Sequence, residues 1–226
     1  MHTSLLERAI YSYADVDRLV GLRPGTARRW LEGYTREGKH YPPVLRPDPT
    51  SSDSVTWGEM VEARLLSEYR RREVPIQRMR PAIMALRDEF GRYPLAHAQP
   101  FLDVAGRELV RLVQDRVGLA PQLQLIVVRN NQLVLAASAE RFSATVEYSD
   151  DVVVRLKPDI RTSEVLMDPL RSFGQPAIRS VRTDVLAEAI RAGTSREETA
   201  ELYDLTLAQL DAAIRYELIA SQARPA

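Results

Sequence analysis

The stretch that most limits what this chain can fold into is residues 11–31, YSYADVDRLVGLRPGTARRWL. Val16, Leu19 and Val20 recur at helical spacing and form one apolar stripe; Ala27, Trp30 and Leu31 form a second. Between them Gly21 supplies a turn. Pro24 suits the first turn of the second helix, where its missing N–H has no intrahelical partner to lose. Two short helices with one stripe each must pack together, which leaves Arg23, Thr26, Arg28 and Arg29 on the far side of the second. Arginine can bond guanine through two N–H groups and also neutralises phosphates, so the pattern predicts a recognition helix for the major groove. An ordinary helical hairpin with a solvated basic face would carry the same residues. The nucleic-acid reading requires Arg28 and Arg29 to stand free while Trp30 is buried.

The 226 residues include 31 basic and 31 acidic side chains, so affinity for DNA must come from a local patch. Residues 23–46 hold Arg23, Arg28, Arg29, Arg36, Lys39 and Arg46 against Glu32 and Glu37. The C-terminal end leans acidic through Glu188, Glu197, Glu198, Glu201, Asp204 and Asp211. A basic front and an acidic rear suit two different partners, although an even scatter of surface charge would look similar. Cysteine is absent, which excludes disulfides, thiolate nucleophiles and cysteine-ligated zinc and agrees with a cytoplasmic location. Glu7, Arg8, Asp15 and Asp17 interrupt any leader-like apolar run, and no segment reaches membrane-spanning length.

Along the chain, residues 1–10 read as a lead-in helix. Residues 33–54 read as a two-stranded wing, with Arg36, Lys39 and Arg46 placed to touch the phosphate backbone; the prolines at 42, 43, 47 and 49 make a basic loop the competing reading. Thr56 and Glu59 form a capping box for a helix whose inner face is Trp57, Val61, Leu65 and Tyr69. Pro75 opens another helix with Ile76, Met79, Ile83, Leu86 and Phe90 inward, and Gly91 closes it. Short strands are expected at 101–104, 108–113, 123–128, 133–135 and 152–156, with a hairpin turn at Asn130-Asn131 and a short helix over 139–146. Three helices follow. Val185, Leu186, Ala189 and Ile190 mark the first; Ser195 with Glu198 caps the second, with Ala200, Leu202 and Tyr203 inward; Thr206 with Gln209 caps the third, with Leu207, Leu210, Ile214 and Leu218 inward. The fold class expected is α+β, mainly α, in three parts: 1–92, a DNA-binding front; 93–162, a small β-rich connection; 163–226, a helical unit with a tail.

Residues 11–90 resemble the MerR-type winged helix-turn-helix. The resemblance rests on the order helix pair, wing, Thr56-Trp57, then Val74, Ile76, Met79 and Arg80. Two features depart from that family. Ala27-Arg28-Arg29-Trp30 replaces an arginine followed by aromatics, and the long dimerising helix is missing. Residues 163–217 resemble a bacterial helical family catalogued as a domain of unknown function. Asp168-Pro169, Phe173-Gly174-Gln175-Pro176, Arg182-Thr183, the run from Gly193 to Ala200, and Tyr203 stand at its marked positions, while Ser180 replaces a glycine. Together the two halves resemble a large VapB-type antitoxin. That resemblance implies a cognate PIN-domain ribonuclease toxin and operator DNA as partners, repression of its own operon, and a homodimer. It makes Arg215 and Arg224 candidates for entering the toxin's carboxylate site.

His2, His40 and His97 lack metal-ligand spacing, and neither a glycine-rich phosphate loop nor a Ser-His-Asp arrangement occurs. The expectation is a non-enzyme with no cofactor and no metal. The alternative reading is a stand-alone MerR-like regulator responding to a small molecule held in the middle region; an adaptor whose helix pair binds protein is a third.

Overall fold

A computed structural model describes residues 3–70 and 75–222. Helix α1 (Thr3–Leu6) leads into strand β1 (Ala9–Ser12), helix α2 (Tyr13–Leu19) and helix α3 (Thr26–Glu32). A hairpin of β2 (Tyr34–Arg36) and β3 (Lys39–Tyr41) follows, then β4 (Ser54–Thr56) and the long helix α4 (Trp57–Arg70). After a 3-10 turn at Ile76–Met79 come α5 (Arg80–Phe90), α6 (Gln99–Leu102) and α7 (Val104–Arg116). The hairpin β5 (Ile126–Arg129) with β6 (Gln132–Leu135) precedes α8 (Ala137–Ser143) and a second hairpin, β7 (Val146–Ser149) with β8 (Val152–Leu156). The chain ends in a short ladder of β9 (Ala177–Ile178) with β10 (Val181–Arg182) and helices α9 (Thr183–Arg191), α10 (Arg196–Leu202) and α11 (Leu207–Gln222). The fold is α+β and mainly α.

Helix α4 is the axis of the larger core. Its predicted face is buried, but so is nearly all the rest of it. The acidic groups this draws inside are each paired: Glu59 with Arg46, Glu62 with Arg87, and Glu68 with both Arg64 and Arg141. The Trp57 indole N–H donates to the Val153 carbonyl at 2.8 Å, fastening α4 to β8. One cluster of buried side chains runs from Leu5 to Met167, so the helical front and the middle segment share a core. A second, smaller cluster runs from Val165 to Tyr216.

Four expectations are corrected. Ala9 and Ile10 belong to β1, paired with β4, and not to a lead-in helix. Residues 101–102 end α6 and 104–113 belong to α7; Asp103 between them is extended, and its carboxylate accepts the Gly106 N–H at 2.8 Å and starts α7. Of the apolar residues there, Val110 and Val113 are buried while Val104 and Leu112 are exposed; apolar clusters this short hid a three-residue period. In the C-terminal unit, Leu202, Leu207 and Leu218 face solvent, whereas Leu205, Leu210, Ala213 and Tyr216 build the core. Leu218 lies about 200° around the helix from Tyr216, so both cannot face inward. Finally, Pro24 precedes α3, whose N-cap is Gly25 at φ 79°.

Other features stand as read. Asn130 and Asn131 both take positive φ and turn the β5–β6 hairpin. The Ser195–Glu198 and Thr206–Gln209 pairs close reciprocal capping bonds.

Candidate nucleic-acid interface

Helix α2 is opened by Ser12 and Asp15, which exchange side-chain and backbone bonds in a capping box. Val16, Leu19 and Val20 pack inward, as the stripe requires. Asp17 is buried although it is charged. Its two carboxylate oxygens accept the Gly25 N–H at 2.6 Å and the Ala27 N–H at 2.7 Å, so α2 holds the start of α3 in place. Burial pushes the Asp17 carboxyl up, against the pull of these N–H donors.

Helix α3 buries Ala27, Trp30 and Leu31 and exposes Arg28 and Arg29; Arg23, just before it, is exposed too. The two-stranded wing forms with Glu37 and Gly38 at its tip, both at positive φ. Tyr34 and Tyr41 stack across it at 4.7 Å, and the Lys39 ammonium sits 5.3 Å from the Tyr41 ring centroid. Arg36 and Lys39 are exposed, with Arg36 3.2 Å from Glu37. Gly33 joins α3 to the wing at φ 74°, where a Cβ would fall 2.5 Å from the Tyr41 carbonyl oxygen. The returning loop is pinned beneath α3: the N–H groups of Val44 and Leu45 both donate to the Trp30 carbonyl, and the Arg80 guanidinium bonds the Pro43 and Pro47 carbonyls.

Two candidate contacts are corrected here. Arg46 is 5% exposed and faces inward; its guanidinium bonds Glu32, Glu59 at 2.7 Å, Thr50 and the Ser54 carbonyl. It joins α3, the loop and α4, and is not placed to meet a phosphate. Its place in a Pro-rich basic stretch masked the two carboxylates it meets, one from each flanking helix. Thr26 is 2% exposed: it lies off the open surface that carries Arg28 and lines the recess between α3 and the end of α4 together with Arg23 and Arg29. Arg215 is exposed on α11, and Arg224 lies outside the described residues.

The C-terminal unit touches the front at β1 and α2. The Tyr11 hydroxyl donates to the Gly174 carbonyl at 2.7 Å, and Arg18 donates to the Gln175 side chain at 2.7 Å. These contacts leave Arg23, Arg28 and Arg29 exposed. Among the described residues no group of three or more His, Asp or Glu side chains is placed to hold a metal ion. No described helix is long and apolar enough to cross a membrane.

Residues 9–83 match the family described as "Putative DNA-binding HTH domain", and residues 165–216 match "Protein of unknown function (DUF433)". The chain is 42% identical over 224 residues to "Uncharacterized protein Rv2308" of Mycobacterium tuberculosis, covering 95% of this chain and 92% of that one. It is 29% identical over 219 residues to "Putative antitoxin VapB45" of the same organism, covering 89% and 90%. The X-ray crystal structure of Rv2018 from Mycobacterium tuberculosis superposes with a TM-score of 0.74 at 26% identity, over 92% of this chain and 99% of that one.

Proposed function

The chain belongs to the family of Rv2308 of Mycobacterium tuberculosis, and we propose that it is a DNA-binding antitoxin. In this reading, α2 and α3 dock on operator DNA as a MerR-like winged helix-turn-helix, and the protein represses its own operon. The observation that carries the reading is the split of α3: Trp30 is 5% exposed while Arg28 and Arg29 face solvent. Arg23, Arg28 and Arg29 would meet the groove and its phosphates, with Arg36 and Lys39 of the wing on the backbone alongside. A dimer would read two half-sites one helical turn apart. The match of residues 9–83 to a helix-turn-helix family supports the DNA half of the reading.

The likeness to the antitoxin VapB45 and the C-terminal match support the other half. Here the C-terminal unit covers a PIN-domain ribonuclease, and a cation from this chain enters the toxin's carboxylate cluster. Arg215 on α11 and Arg224 in the tail are the proposed cations.

Two experiments test the reading. A salt titration of duplex affinity should give a steep log–log dependence, and Arg28→Ala should lower the slope by about one unit. Co-expression with the neighbouring gene, followed by affinity capture and intact-mass measurement, should yield a stable complex with a nuclease. A duplex affinity that ignores salt removes the first half. Full neutralisation of the nuclease by the doubly substituted Arg215→Ala, Arg224→Ala protein removes the assigned cations.

A further inference from the structure

A cavity of about 420 Å³ lies beside the recognition helix, lined by Arg23, Thr26 and Arg29, by Trp30 and Tyr34, and by Arg70 from the end of α4. We propose that this cavity is a phosphate-binding pocket, with Arg23, Arg29 and Arg70 as its cations and the Thr26 hydroxyl as a further donor.

Three observations converge on it. First, three guanidinium groups from separate places in the chain line one space, and among the described residues none has a carboxylate partner. Burial, with Arg23 and Arg29 nearby, pulls the Arg70 guanidinium below its ordinary value; Asp17 opposes this, but both its oxygens already hold backbone N–H groups. Like charges gathered without a counter-ion are destabilising unless an anion joins them. Second, Thr26 is 2% exposed and its Oγ1 has no hydrogen-bond partner among the described residues. A buried hydroxyl left unsatisfied costs free energy, and a phosphate oxygen in the pocket would satisfy it. Third, the Arg70 guanidinium lies 6.0 Å from the Trp30 ring centroid, which holds it over an aromatic face, and it bonds no acceptor among the described residues. Arginine's planar fork suits the oxygens of a phosphate.

The phosphate has two possible sources: the backbone of the DNA strand that α3 meets, or a free phosphorylated compound. The first rests on the DNA-binding reading above; the second does not. Arg70 is 38 residues beyond the end of α3 in the chain, so only the fold adds it to the basic face.

The test uses the whole protein. Inorganic phosphate and pyrophosphate are titrated at constant ionic strength while tryptophan fluorescence is followed; Trp30 lines the pocket, whereas Trp57 is fully buried and bonded to Val153. Saturable binding is expected, weakened about tenfold or more in Arg70→Gln, as for loss of a charge-assisted bond. Thr26→Val should weaken it several-fold with no loss of melting temperature, which separates the pocket from a folding defect. In parallel, affinity for a mixed-sequence duplex is measured against salt. If Arg70→Gln lowers that slope by about one unit, the phosphate is the DNA's. If the slope holds while inorganic phosphate binding falls, the ligand is a free phosphate compound. If Arg70→Gln changes neither, the pocket is not a phosphate site. A wild-type protein that binds phosphate but no duplex refutes the DNA-binding reading and leaves the pocket standing.

Discussion

Replacing Arg46 distinguishes a buried brace from a DNA contact. The Arg46 guanidinium is 6% exposed between Glu59, at 4%, and Glu32, at 12%. Glu59 also accepts the Thr56 N–H at 2.9 Å, and Glu32 accepts the N–H groups of Thr50 and Ser51. In Arg46→Ala those bonds remain, but two carboxylates stay buried without a cation. Removing one partner of a buried ion pair costs roughly 3–5 kcal/mol, a large fraction of the roughly 5–15 kcal/mol that holds a protein folded. For a chain of this length each kcal/mol is worth about 2–4 °C, so the melting temperature should fall by about 10 °C. Scanning calorimetry measures this directly. Replacing Arg46 with Met and both glutamates with Gln together should recover much of the loss, because no unpaired charge then remains. Below its melting point Arg46→Ala should keep the wild-type salt slope for duplex binding. A melting temperature within about 2 °C of wild type, together with a slope lower by one unit, would refute this reasoning and return Arg46 to the phosphate backbone.

Three other outcomes follow from the buried polar groups and one tight approach. Glu62 is fully buried; desolvation, aided by Glu59 and opposed by Arg87 and the Leu95 N–H, pushes its carboxyl up to about 7. Its folded value therefore exceeds its unfolded one, so its contribution is complete below about pH 4.5 and is lost as pH rises through 7, about 3 kcal/mol in all. Denaturant midpoints taken from pH 5 to 8 should show this fall, and Glu62→Gln should flatten it; an identical profile in the variant would count against it. Asp17→Ala leaves the Gly25 and Ala27 N–H groups without their carboxylate and should cost about 2–3 kcal/mol by urea denaturation. Gly174 takes φ 69°, and a Cβ there would sit 2.1 Å from the Tyr11 hydroxyl oxygen. Gly174→Ala should break the Tyr11 bond and lower stability by about 1–3 kcal/mol; a wild-type urea midpoint would show that the contact is dispensable.

Elements whose signal is local were legible from the residues alone. The helix pair, the wing, the Asn130-Asn131 hairpin and the capping boxes at Ser195 and Thr206 each depend on residues three or four apart or on one turn's φ values. The chain thereby determined a basic short helix with an apolar back, and hence which arginines could stand free. It could not decide what lies far away in sequence. Residues 101–104 and 108–113 read as strands because short apolar clusters do not state their own period. Glu32 and Glu59, 14 and 13 residues from Arg46, turn a presumed phosphate contact into a brace. Asp17 is drawn inside by the backbone of the next helix, and Arg70 reaches the basic face only because α4 ends beside Trp30. Residue types and spacing determine what a side chain can bond; burial and long-range pairing decide which of those bonds are already used, and only the folded chain contains that information.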